Sequence, residues 1–97
     1  PKYYTTGNAV RMYPKNSVVI NSSKKIVSIK ITCDNYNGTP YNASGDISAD
    51  TGSVSISGDD LLVSAINSSK VTLTNVSATT GAPSQLRAKS IVITYEE

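Results

Sequence analysis

Residues 25–33 read KIVSIKITC, and this stretch decides the fold class. Its alternating apolar positions are Val27, Ile29, Ile31 and Cys33. Successive side chains of a β-strand point to opposite faces, so an apolar residue at every second position gives one apolar face and one polar face. The stretch therefore predicts a strand with one face in a core and the other in solvent. Ile26 falls outside this apolar stripe.

The same two-residue period recurs along the chain. It predicts further strands at residues 9–13, 17–20, 47–49, 53–57, 61–66 and 70–74. Val, Ile and Thr, which favour strands, supply 28 of the 97 residues. Clusters of Asn, Ser, Gly and Asp at residues 21–23, 57–60 and 67–69 are typical of turns between antiparallel strands. The pattern predicts an all-β fold, an antiparallel β-sandwich of jelly-roll type with roughly seven to eight short strands.

The last predicted strand, residues 85–95, changes phase halfway along its length. Its apolar residues are Leu86, Ala88, Ile91, Ile93 and Tyr95. The first two lie on one face and the other three on the opposite face by simple alternation. Because one extra residue shifts the register by one, a β-bulge near residues 89–90 would return all five to the core. We predict a bulge at that position.

Length and charge exclude several classes of protein. A chain of 97 residues makes one domain, 1–97, and no apolar run approaches the roughly 18 residues that cross a bilayer. The net charge of +2 comes from scattered lysines and arginines, whereas nucleic-acid binders concentrate them on one face. We therefore expect neither a membrane protein nor a nucleic-acid partner.

The chain offers little for catalysis. It has no His to activate a nucleophile, and Cys33, its one cysteine, is in phase with the apolar stripe as a buried residue would be. Asp59 and Asp60 are the best pair of carboxylates, but they occupy a turn, where Asp is common for structural reasons. We predict that the domain is not an enzyme.

The sequence predicts no cofactor. Zinc needs clusters of His or Cys, which are absent. The run Asp34-Asn35-Tyr36-Asn37-Gly38 is superficially similar to a calcium loop, but Tyr36 and Gly38 stand at two of the alternate positions that require oxygen ligands. A structural calcium held by other Asp or Asn oxygens and backbone carbonyls stays open.

The long polar loop over residues 34–46, DNYNGTPYNASGD, carries the candidate ligand-binding residues. These are Tyr36, Tyr41, Asn35, Asn37 and Asn42. Sugars stack their C–H faces on aromatic rings and pair their hydroxyls with amide groups, so this combination predicts a weak carbohydrate-binding surface. In the alternative reading, one tyrosine packs back under the loop and the asparagines hold turns.

Three segments form a pattern of their own: PKYYTTGNAVRMYPKNSVVI at residues 1–20, KKIVSIKIT at residues 24–32 and SQLRAKSIVITYEE at residues 84–97. Together they resemble a jelly-roll accessory domain found in secreted and surface enzymes and lipoproteins of gut bacteria. Relatives open with P-x-Y-Y-x-x-G-x-A-V-R-x-Y and close with S-Q-L-R-I-K-x-I-x-V-T-Y. Ala88 stands where those relatives have a larger aliphatic residue.

The resemblance implies an extracellular or cell-surface module, non-catalytic and similar to carbohydrate-binding modules. Such a module ties a larger parent protein to polysaccharide or another glycan, or supports the neighbouring domains. Relatives carry another strand or two before the Pro-x-Tyr-Tyr segment, so the resemblance implies one of two alternatives here: a shortened chain that lacks an N-terminal strand, or a sandwich with an open edge. An open sheet edge invites edge-strand pairing with another chain. The alternative function is a structural spacer, adhesin or self-assembling surface-protein domain with no sugar affinity.

Overall fold

The computed structural model of the protein describes residues 2–4, 9–78, 81 and 84–96, with side chains from residue 11 onward except that of residue 36. The strands are β1 (Lys2–Tyr4), β2 (Ala9–Met12), β3 (Ser17–Cys33), β4 (Asn35–Tyr36), β5 (Thr39–Pro40), β6 (Ile47–Ala49), β7 (Ser53–Ser57), β8 (Asp60–Ser64), β9 (Ser68–Asn75) and β10 (Leu86–Tyr95). One turn of 3-10 helix spans Ala43–Gly45.

Among these residues, eight strands form one antiparallel sheet, and β4 and β5 form a separate hairpin. The main path of the sheet runs β1-β2-β10-β3-β8-β7, and β9 pairs with both β3 and β6. The predicted all-β, antiparallel fold is confirmed. No helix within the described ranges is long and apolar enough to cross a membrane.

β3 is 17 residues long and links two parts of the sheet. Its first part, residues 17–21, pairs with β9, and its second part, residues 26–33, pairs with β10 and, at residues 29–32, with β8. Asn21 lies opposite Lys70, but Ile26 lies opposite Ser68, so β3 has extra residues between these points. The turn predicted at residues 21–23 is therefore wrong, because the strand continues through an irregularity there.

A second irregularity in β3 exchanges the predicted places of Ile26 and Val27 at the start of the apolar stripe. Ile26 is fully buried, whereas Val27 is 41% exposed. Tyr95 lies opposite Ile26 and Thr94 lies opposite Ser28, which leaves Val27 as an extra residue on β3. The remainder of the stripe is confirmed, since all three later members are buried: Ile29, Ile31 and Cys33.

The predicted bulge in β10 is confirmed. Ala88 lies opposite Cys33 and Ser90 lies opposite Thr32, so β10 gains one residue between them. The shift places Ile91 and Ile93 opposite Ile31 and Ile29, on the core face of the sheet. Leu86 and Ala88 are buried and Ile93 packs against the core, but Ile91 is 46% exposed and Tyr95 is 43% exposed. The apolar residues of β10 thus lie on the predicted core face, but that face is only partly shielded from solvent.

The core is aliphatic and draws on both parts of the sheet. Its largest fully buried side chains are Ile26, Ile29, Ile31, Leu61, Leu73, Val63 and Val71. Between the first part of β3 and β10 lies a cavity of about 90 Å³, lined only by apolar residues that include Val18, Ile20 and Ile91. Apolar side chains that face a void lose the contacts that a filled core would give them.

Candidate functional site

The segment predicted as one long loop contains a two-residue hairpin. Asn35 lies opposite Pro40 and Tyr36 lies opposite Thr39, with Asn37 and Gly38 between them. Both loop residues have positive φ, 52° and 81°, as the turn that matches the twist of two antiparallel strands requires. The Asn-Gly pair was the available signal for this hairpin, because these two residues adopt positive φ readily.

Asn35 fastens the hairpin to the turn between β7 and β8. Its Nδ2 donates to Asp59 Oδ1 at 2.8 Å, and its Oδ1 accepts from the backbone N of Gly38 at 2.9 Å. Its own backbone N donates to Asp34 Oδ1 at 2.9 Å. The amide of Asn35 is thus already occupied on both its donor and acceptor sides. Its role in this arrangement is to position the hairpin.

Tyr41 follows the hairpin and is only 9% exposed. The guanidinium carbon of Arg87 lies 4.2 Å from the centroid of its ring. The backbone N of Tyr41 donates to Asp34 O at 2.8 Å, and its backbone O accepts from Arg87 N at 3.0 Å. The ring therefore packs under the loop instead of offering an open stacking face, which is the alternative that the sequence left open for one tyrosine.

The other candidate residues divide between two places. Asn37 is exposed at the tip of the hairpin, and Tyr36 lies in β4, although its side chain is outside the described residues. Asn42 is half-buried and forms a β-bridge with Leu86. The structure thus brings Asn35, Tyr36 and Asn37 onto one hairpin. It places Asn42 with Tyr41, on the segment that lies against the start of β10.

Acidic residues adjoin the base of the hairpin. Asp60 accepts from Thr32 Oγ1 at 2.9 Å, and its other oxygen lies 4.0 Å from Lys30 Nζ. Asp34 and Asp59 are tied to Asn35. Sequence reasoning missed Asp59 as a neighbour of the hairpin, since 24 residues separate it from Asn35. Among the residues described, no three His, Cys, Asp or Glu side chains gather as metal ligands do.

Cys33 lies beneath this region and is buried. Burial first, and then the charges of Asp59 and Asp60, raise the pKa of Cys33 to about 12. The thiolate is the reactive form of cysteine, so a thiol with this pKa is inert near neutral pH. Cys33 acts in the structure as a small core residue.

No family model, no curated protein and no solved structure matches the chain.

Proposed function

We propose that the domain is a non-catalytic, extracellular accessory module that binds carbohydrate weakly. Its binding region would be the hairpin surface, defined here as Asp34, Asn35, Tyr36, Asn37 and Asp59. The observation that carries the proposal is the hydrogen bond of 2.8 Å from Asn35 to Asp59, which holds the exposed hairpin against the β7–β8 turn. A surface fixed before binding loses less conformational entropy when a ligand arrives.

The chemistry of the hairpin surface suits a sugar. Tyr36 would supply the aromatic ring on which a pyranose can stack, as the sequence predicts. The exposed Asn37 has both a donor and an acceptor for hydroxyls. Asp34 and Asp59 add acceptor oxygens. A surface this small supports binding of about −4 to −8 kcal/mol, in the millimolar to micromolar range, so several copies in one array would bind far more strongly than one.

We also propose a finer fold class for the domain and a place for it in a larger protein. We assign the sheet to the β-sandwich, jelly-roll class, because β3 is shared between two parts of the sheet whose apolar residues enter one core. The resemblance of the terminal segments to accessory domains supports a place in a larger secreted or surface protein. Polysaccharide or another glycan, together with neighbouring domains of that protein, would be the partners.

The first experiment measures binding of the domain to an immobilised panel of plant, host-mucin and microbial glycans. Two variants remove the proposed contacts: Tyr36→Ala removes the ring, and Asn37→Gly removes the amide while keeping a residue that adopts positive φ. Asn67→Ala removes an exposed amide elsewhere and serves as the control. Far-UV circular dichroism and the melting temperature establish that each variant is folded.

Selective binding that is lost in both hairpin variants and kept in Asn67→Ala would support the proposal. Binding that survives both hairpin changes would assign the sugar to another surface. A folded domain that binds nothing on the panel would remove carbohydrate recognition and favour the second candidate function.

That second candidate is a structural or self-assembling surface-protein domain. One observation favours it: Ile91 and Tyr95 of β10, which lie on the same face of the strand as Ile93, are 46% and 43% exposed. Exposed apolar residues that cluster on one element mark interaction surfaces more often than those scattered singly.

A further inference from the structure

Within the described ranges, residues 90–95 of β10 have a partner strand on one side only. β3 pairs with them along one edge, whereas β2 reaches only Leu86 to Ala88 on the other. Among the described residues, no strand pairs with the outer edge of residues 90–95, which we call the free edge. A strand with an open edge can accept another strand through backbone hydrogen bonds.

The sequence does not protect this edge. Residues 90–95 read SIVITY, with no charged residue, no Pro and no Gly. Proteins usually block an exposed edge with lysine, proline or a very short strand. Here the six residues are rich in the β-branched and aromatic types that favour strand pairing.

The core face beneath the free edge is open as well. Ile91 lies opposite Ile31, which is 2% exposed, yet Ile91 itself is 46% exposed. Ile91 also lines the apolar cavity of about 90 Å³, whose lining includes Val18 and Ile20 of β3. A strand added at the free edge would cover Ile91 if its own core face were apolar at alternate positions.

We propose that the free edge pairs antiparallel with the free edge of a second copy of this chain, so that one sheet continues through both. β10 has the pattern required of the added strand, because Ile91 and Ile93 share its core face. A two-fold axis normal to the sheet keeps every residue on its own face. The symmetric register that centres on Val92 sets Val92 against its own copy, Ile91 against Ile93, and Ser90 against Thr94.

Charge complementarity favours this occupant and this orientation. Lys89 precedes the free edge and Glu96 follows it; both are exposed, and neither forms an ion pair with any residue that the structure describes. Antiparallel pairing brings the Lys89 end of each copy to the Glu96 end of the other, at two symmetric places. Parallel pairing would bring like charges together, which destabilises a strand pair.

The test is the oligomeric state of the chain, measured by light scattering and sedimentation from the micromolar to the millimolar range. We expect a monomer–dimer equilibrium. Val92→Lys would set two ammonium groups against each other at the axis and raise the dissociation constant by about tenfold or more. Val76→Lys is the matched control, because Val76 is 55% exposed and lies outside β10. It should leave the dissociation constant unchanged.

A second variant tests the register. Opposed Cα atoms in an antiparallel pair lie about 4.5 to 5.5 Å apart, within the reach of a disulfide. Val92→Cys should therefore yield a covalent dimer under mild oxidation, whereas Val76→Cys should not.

Three results would overturn the proposal. The first is a strict monomer at millimolar concentration. The second is a monomer that takes up an added alternating apolar peptide at Ile91, which would assign the edge to a foreign strand. The third is a dimer that neither weakens with Val92→Lys nor cross-links through Val92→Cys. None of these measurements depends on glycan binding, so failure here is distinct from failure of the proposed function.

Discussion

The guanidinium of Arg87 stacks over the ring of Tyr41, with its central carbon 4.2 Å from the ring centroid. The same residues share a backbone hydrogen bond of 3.0 Å from Arg87 N to Tyr41 O. A cation over an aromatic ring contributes about 0.5 to 2 kcal/mol, more as the pair is withdrawn from water. The contact therefore anchors the segment after the hairpin to β10.

Tyr41→Ala should lower the free energy of unfolding by about 3 kcal/mol, because it removes a buried ring and its cation partner. Tyr41→Phe keeps the ring and should cost less than about 1 kcal/mol. Urea denaturation of both variants measures these values. A similar small loss for both would show that the ring contributes little to packing.

Asn75→Ala should be among the most damaging single changes. Asn75 is fully buried; its Nδ2 donates to Met12 O at 3.0 Å and Ser84 O at 2.7 Å, and its Oδ1 accepts from Ser77 N at 3.1 Å. An unsatisfied buried backbone group costs about 1 to 3 kcal/mol, so we expect a loss of about 3 kcal/mol or more.

Asn67→Ala is the control for this prediction, since Asn67 is exposed and should change stability by less than about 0.5 kcal/mol. Chemical denaturation of the two variants side by side provides the comparison. Equal effects would contradict the role given to Asn75.

Gly52 and Gly58 both have positive φ, but their surroundings differ. A Cβ at Gly52 would lie 2.6 Å from Ser64 O and 2.8 Å from Ile66 Cγ1, whereas at Gly58 it would meet nothing within 4 Å. Gly58→Ala should therefore cost about 1 to 2 kcal/mol from backbone strain alone. Gly52→Ala should cost about 2 to 5 kcal/mol, because the clash adds to that strain. Thermal melts of the pair would refute this account if Gly58→Ala were the worse.

Because of Cys33, the free energy of unfolding should depend on pH in the alkaline range. Its pKa rises from 9.0 to about 12 on folding, so the folded state holds the thiol proton more tightly than the unfolded state. The stabilisation is fully present below pH 9 and is lost as the pH rises from 9 towards 12. Cys33→Ala lacks this effect. Across that range, the free energy of unfolding of the wild type should therefore fall relative to that of Cys33→Ala, by about 4 kcal/mol at most.

Urea denaturation at several values of pH from 7.5 upward measures this difference. A constant difference would mean that Cys33 ionises as easily in the folded chain as in the unfolded one. Thiol labelling offers an independent check, since native Cys33 should react only through unfolding.

Most strands could be predicted from the sequence, because the alternation of apolar and polar residues is a local pattern. The bulge in β10 could be predicted, since the change of phase at residues 89–90 is visible in the order of apolar residues. The continuation of β3 through its extra residues between Asn21 and Ile26 could not be predicted. Residues 21–23 and 67–69 both read Asn-Ser-Ser, a composition that is typical of turns. In the structure these two clusters face one another along neighbouring strands, with Asn21 opposite Lys70 and Ile26 opposite Ser68.

The candidate site was predictable only where local signals determine it. The turn at Asn37 and Gly38 follows from two residues that accept positive φ. The burial of Tyr41 depends on Arg87, and the position of the hairpin depends on Asp59. Both partners are far away in sequence. Neither contact can be predicted from the pattern of residues near the loop.

The position of β3 has a consequence for how the domain comes apart. β3 pairs with β8, β9 and β10, and without it the main sheet reduces to β1-β2-β10, β7-β8 and β6-β9. Small groups of strands without a shared core are at best marginally stable in water. We therefore expect the strands that pair with residues 17–21 of β3 and those that pair with residues 26–33 to unfold together. The slowest-exchanging amides of β3, β8, β9 and β10 should report one common opening free energy, the signature of a single cooperative unit.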